Sequence, residues 1–216
     1  MKLAVFDCDG TLIDGQASIC EAMEAAFAAQ RLTAPERSAI RRAVGLSLPQ
    51  AMRVLLPDSE DDVHQALTES YKEAFRTARS DGRLSQPLFD GIKEVLRSLS
   101  AAGWTLGVAT GMSARGLSHC LATNDVADLF VTLQTADYHP SKPHPAMLEA
   151  ALYEAGAQAE EAVMIGDTAY DMQMARDAGV RGIGVDWGYH HPHELRAAGA
   201  DVVVESPAQL VKVLLA

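Results

Sequence analysis

The chain alternates between short apolar runs and longer stretches in which apolar residues recur every three or four positions. The first run, Leu3 to Phe6, stops abruptly at Asp7. Similar runs follow at Thr105 to Ala109, Leu129 to Leu133, Ala162 to Ile165, Gly182 to Val185 and Asp201 to Val204. Each has the length of a strand, and continuous apolar character belongs to strands buried on both faces. Between them lie helical patterns at Ile92 to Ala102, Ser113 to Ala122, Pro145 to Ala155 and Tyr170 to Ala178, with a last one at Pro207 to Leu215. Ser206 is placed to cap that last helix, and Pro207 to occupy its first position. The alternation predicts an α/β core built on a doubly wound, Rossmann-like parallel sheet with helices on both faces.

The segment 15–87 breaks the alternation, because it contains no strand pattern. It reads as helices over Ser18 to Gln30, Pro35 to Val44, Leu48 to Leu56 and Val63 to Arg79, separated by Pro and Gly. The expected organisation is a core of residues 1–14 and 88–216, interrupted after its first strand by an all-helical domain, 15–87.

Composition narrows the function classes. Of 216 residues, 29 are Asp or Glu and 18 are Lys or Arg, a formal net charge of −11. Nucleic-acid binding needs a basic face, which this balance does not offer. The imbalance is also uneven: the helical insert is nearly neutral, and the excess acidity lies in the core. No apolar run approaches the roughly 20 residues of a membrane span. Only four apolar residues separate Lys2 from Asp7, too few for a signal peptide. Cys8, Cys20 and Cys120 form no C-x-x-C pair, so a reduced, cytoplasmic setting is expected.

The densest chemistry is Asp7-Cys8-Asp9-Gly10-Thr11, where the first strand ends. Ligands of open α/β sheets bind at the carboxyl ends of strands. In extended chain Asp7 and Asp9 point one way and Cys8 the other, as a small buried filler. Gly10 permits a tight turn against a ligand. A second acidic cluster, Gly166-Asp167-Thr168-Ala169-Tyr170-Asp171, has the same placement after Ala162 to Ile165. If the two meet, four carboxylates converge and repel unless a cation lies among them. Oxygen donors of this kind suit Mg2+ better than zinc. Thr110-Gly111, between a strand and a helix, forms an anion-binding corner. Lys142, in Ser141-Lys142-Pro143-His144-Pro145, adds a positive charge. Together these are the parts of phosphoryl transfer. Two other groups read more plainly. His190, His191 and His193 are expected in a solvent loop rather than a metal cluster. Arg31, Arg37, Arg41, Arg42 and Arg53 form a solvated face, from which one or two could reach a substrate anion.

Taken in order, Asp7-x-Asp9-Gly10-Thr11, Thr110, Lys142 and Gly166-Asp167-x-x-x-Asp171 resemble the four signatures of the haloacid dehalogenase superfamily, and the helical insert resembles its cap domain. The resemblance implies Asp7 as nucleophile, Asp9 as general acid and then base, and Thr110 and Lys142 as holders of the phosphoryl oxygens, with Gly10 and Gly111 lining its site. It further implies that Asp7, the Asp9 carbonyl and Asp167 bind Mg2+, supported by Asp171. Dehalogenases of the superfamily lack a carboxylate at the Asp9 position, so the phosphatase branch is implied, and phosphoglycolate phosphatases are the nearest likeness. Phosphatases of sugar phosphates, nucleotides or pyrophosphate remain alternatives. A β-phosphoglucomutase is disfavoured by Leu48, which stands where its Arg is expected. A non-enzymatic phospho-receiver would lack the insert. The expected partner is a small phosphorylated substrate, without nucleic acid or membrane, and the expected assembly a monomer or homodimer.

Overall fold

The computed structural model describes residues 1–216. Six strands, β1 (Leu3–Phe6), β2 (Thr105–Thr110), β3 (Thr132–Thr135), β4 (Ala162–Gly166), β5 (Arg181–Val185) and β6 (Val202–Val204), form one parallel sheet in the order β3-β2-β1-β4-β5-β6. The chain works outward from β1 through β2 to β3, then returns to β4 on the other side of β1. That reversal opens a crevice beyond the carboxyl ends of β1 and β4. Phe6 lies level with Val108 on β2 and Ile165 on β4, so both acidic clusters emerge side by side.

The apolar strands are buried on both faces, as their composition requires. Ala4 and Phe6 pack with α5 (Ile92–Ala101), α6 (Ala114–Thr123) and α10 (Pro207–Leu215). Leu3 and Val5 face the opposite layer, α7 (Ala146–Ala155) and α8 (Ala169–Asp177). Continuing this period of two, Cys8 joins the first layer, away from the two acids. Ser206 accepts from the Gln209 N–H at the start of α10, as its position predicts. A further short helix, α9 (Pro192–Ala198), packs beside α8.

The expected strand at Leu129 to Leu133 lies further along, at Thr132–Thr135. Only Leu129 of the apolar run falls in the preceding single 3-10 turn, Ala127–Leu129. The strand itself carries a polar network, in which Thr132 and Gln134 both donate to Glu154 of α7. An edge strand satisfied by such bonds has no need of apolar residues, and hydrophobicity alone therefore misplaces it.

Between β1 and α5 run α1 (Gln16–Ala29), α2 (Arg37–Ala43), α3 (Leu48–Leu55) and α4 (Asp61–Ser80). They gather an apolar cluster of their own around Met23, Phe27, Ile40, Met52 and Leu67. The chain enters and leaves this insert through two adjacent segments: Asp14 N–H donates to the Pro87 carbonyl at 2.8 Å, and Ile13 bridges Leu88. The three cysteines are free and buried. No helix is long and apolar enough to cross a membrane.

Candidate active site

Asp7 begins where β1 ends, and its N–H extends the ladder by donating to Ile165 of β4 at 2.9 Å. Its carboxylate is buried and held on one side only. Oδ1 accepts from the Cys8 N–H at 2.7 Å and lies 2.8 Å from Lys142 Nζ, whereas Oδ2 has no partner. Burial pushes the Asp7 carboxyl up to about 6, against the pull of Lys142.

Asp167, at the end of β4, accepts from Thr11 Oγ1 at 2.8 Å and from the Tyr189 N–H at 2.9 Å. Gly10 has φ +85°, and a side chain there would collide with the Asp167 carboxylate and the Tyr189 ring. The glycine therefore lets the first acidic loop fold onto the second. Burial, and then the charges of Asp7 and Asp171, push the Asp167 carboxyl well above the ordinary range.

Lys142 reaches the site from the loop before α7 and is almost fully buried. Its ammonium bridges Asp7, at 2.8 Å, and Asp171, at 2.7 Å. Burial alone would favour the neutral amine, but Asp171 and Asp7 outweigh it and hold the charge in place. Both Asp171 oxygens are occupied, Oδ1 by Lys142 and Oδ2 by the Thr168 N–H and hydroxyl. Thr168 in turn accepts from the Asp171 N–H, closing a capping box at the start of α8. Asp171 thus positions Lys142 and caps a helix at once.

Ligand oxygens of Asp7, Asp167 and Asp171 lie within 4.8 Å of one another. One ammonium is set against three buried carboxylates here, and an orphaned Asp7 oxygen remains. A divalent cation with oxygen ligands answers both the excess charge and the orphaned acceptor. The residues present fit such an ion.

Asp9 lies just outside this cluster, facing a cavity of about 640 Å³ between sheet and insert. Burial and then the Asp7 charge push its carboxyl up to about 7, and its Oδ1 has no partner. Thr110, at the end of β2, accepts from the Met112 N–H at 3.2 Å, while the cap of α6 is Ser113. Gly111 is roofed by the insert: a side chain there would meet the carbonyl oxygens of Gly45 and Leu46. Asp7, Asp9, Thr110 and Gly111 line the cavity floor, and Tyr71, Phe75 and Arg79 of α4 border its other side.

His191 and His193 are exposed and the insert arginines form a largely solvated face, as expected; His190 differs. His190 is buried between core and insert, not in a solvent loop: its Nδ1 accepts from the Ala169 N–H, which leaves Nε2 to donate to the Arg42 carbonyl. Both ring nitrogens find backbone partners there, which a sequence pattern does not display. His191 instead caps α9. Of the insert arginines singled out above, Arg37 pairs with Glu24, Arg42 with Glu194 and Arg53 with Asp61, and Arg41 donates to Gln16. None lines the cavity. The cations that do are Lys72, Arg76 and Arg79 of α4, with Arg115 of α6. For Arg79, the one signal that could have found it is the spacing of Tyr71, Phe75 and Arg79 along a single helix face.

The family model described as haloacid dehalogenase-like hydrolase matches residues 4–185. A probable phosphatase IndB of Dickeya dadantii is 35% identical over 215 residues, covering 97% of this chain and 91% of that protein. An N-acetylmuramic acid 6-phosphate phosphatase of Pseudomonas aeruginosa is 30% identical, covering 99% and 95%. A phosphoglycolate phosphatase of Vibrio vulnificus is 29% identical, covering 100% and 96%. Among solved structures, a hydrolase from Pseudomonas syringae superposes with a TM-score of 0.87 at 26% identity, covering 99% of this chain and 98% of that one.

Proposed function

The chain belongs to the haloacid dehalogenase-like hydrolase family and is a phosphatase like its named relatives; from that premise we propose a magnesium-dependent phosphomonoesterase with Asp7 as nucleophile. The observation that carries this reading is the one-sided tethering of Asp7. Two donors fix Oδ1, while the unpartnered Oδ2 leaves the carboxylate free to react beside an acid that burial keeps near neutrality.

In this reading the insert, 15–87, serves as a cap that encloses the substrate. Asp7 attacks phosphorus, an oxygen–phosphorus bond forms, and the ester oxygen departs with the proton of Asp9. Asp9, now a carboxylate, takes a proton from the water that attacks the aspartyl phosphate. Phosphate leaves, and Asp7 and the protonated Asp9 are restored. Thr110 and Lys142 hold phosphoryl oxygens, Lys142 kept charged by Asp171 as well as Asp7. Gly10 and Gly111 give the main chain close approach to the substrate. Asp7, Asp167 and the Asp9 carbonyl would hold Mg2+, with Asp171 behind them. When bound, the ion neutralises charge between the acids and the phosphoryl oxygens.

Two relatives carry substrate names that are those of phosphorylated acids, phosphoglycolate and N-acetylmuramic acid 6-phosphate. They support a small phosphorylated acid as the substrate class here. Phosphate release from a chromogenic aryl phosphate, with Mg2+ and with a chelator, tests the reaction: hydrolysis that depends on the metal is expected. Turnover unaffected by the chelator would remove the metal from the reading.

A further inference from the structure

The cations around the cavity are not equivalent. Lys72 pairs with Glu69 and Arg76 with Glu73, each on the same helix. Arg79 and Arg115 have no carboxylate partner, and of these only Arg79 has a buried guanidinium nitrogen, its Nε, with no acceptor at all. A guanidinium N–H withdrawn from water and left unpaired is costly, and a bound anion relieves that cost.

Its place along α4 matters as much as its charge. Tyr71, Phe75 and Arg79 share one face at intervals of four residues. Tyr71 and Asp9, the acid beside the phosphoryl site, line the same cavity. Arg79 is two turns further on, about 12 Å along the helix axis. The lining also carries the apolar Ile19, Met23, Val44, Phe75 and Met112. At about 640 Å³ the cavity is in the range that encloses ring-bearing, drug-sized ligands. A two-carbon acid would leave most of it to water.

We infer that Arg79 receives a second anionic group of the substrate, and that the substrate is a phosphomonoester whose acid is carried on a ring-sized, partly apolar body rather than on a two-carbon chain. This rests on the phosphatase reading and makes Arg79 a specificity-determining residue.

A matched pair of esters tests it: phenyl phosphate and 4-carboxyphenyl phosphate, with phosphoglycolate as the small acid. Wild type is expected to favour the carboxylated ring over both others in kcat/KM. Arg79→Gln is expected to lower the ratio of carboxylated to plain ester by about ten- to hundredfold, chiefly through KM, with Arg79→Lys intermediate. A ratio that is the same in wild type and Arg79→Gln overturns the assignment of Arg79. Wild type preferring phosphoglycolate overturns the ring-sized body. Wild type hydrolysing none of the esters overturns the phosphatase reading, and this inference with it.

Discussion

The core and the insert hold their polar side chains in opposite ways. In the core, Asp7, Lys142, Asp167 and Asp171 are at most 1% exposed, and each is fixed by at least one donor or ion pair from a different segment of the chain. In the insert, the cations beside the cavity are long side chains on one helix, paired within that helix or unpaired. Reaction chemistry needs fixed geometry, and the core supplies it through close packing around few atoms. Substrate recognition tolerates side chains that swing, and small changes of side chain on α4 can alter it without disturbing the sheet.

Breaking the core side of this contrast should have the largest effect. Asp7→Asn removes the nucleophile, and kcat for an aryl phosphate is expected to fall by about 10⁴-fold or more with the fold retained, as circular dichroism would verify. Near-normal turnover would sink the assignment. Asp171→Ala leaves the buried Lys142 with one partner and opens the capping box. A stability loss of about 3–5 kcal/mol is expected in denaturant unfolding.

The contact between the two regions should give an intermediate effect. Gly111→Ala forces a methyl against the Gly45 and Leu46 carbonyls, an overpacking of about 1–3 kcal/mol. If the loop of the insert yields rather than the sheet, KM rises while the melting temperature changes little, and the opposite pattern would show that the contact is rigid. Arg42→Ala severs the pair with Glu194 that links insert and core across the surface. Because the Arg42 side chain is half exposed, about 1 kcal/mol or less is expected.

The smallest effect concerns pH. Burial pushes the His190 imidazole below its ordinary value, and its Nδ1 already accepts the Ala169 N–H. The unfolded chain therefore takes up the proton first as pH falls. Stability contributed by neutral His190 is present above about pH 6.5 and is lost below it. Comparing wild type and His190→Gln between pH 7.5 and 5 should show the steeper acid loss in wild type. Equal slopes would mean that the ring is not held neutral.

The sequence made the core legible because its demands are local and repetitive. A strand buried on both faces must be apolar, and an acid immediately after it marks the crevice. Hence Asp7, Asp9 and Asp167 stand out at strand ends, and the periodic apolar positions of the insert mark its four helices to within two residues. What escaped was decided by contacts between distant segments. The edge strand Thr132–Thr135 is stabilised by Glu154, and His190 is buried by Arg42. Arg79 differs from Arg37 and Arg53 in lining the cavity and in lacking a carboxylate partner. The bonds of Asp171 to Lys142 and Thr168 likewise join segments that the sequence pattern does not pair.

The hydrogen bond from Asp14 to Pro87 has a consequence for how such a molecule can change over generations. To the sheet, everything between those residues is a loop whose ends already touch. Closing a longer or shorter loop at the same two points alters the entropy by only about 0.6 kcal/mol per doubling of length. Whole helices could be gained, lost or exchanged there without rethreading a strand, so the recognition surface is free to diversify while the reaction centre stays as it is.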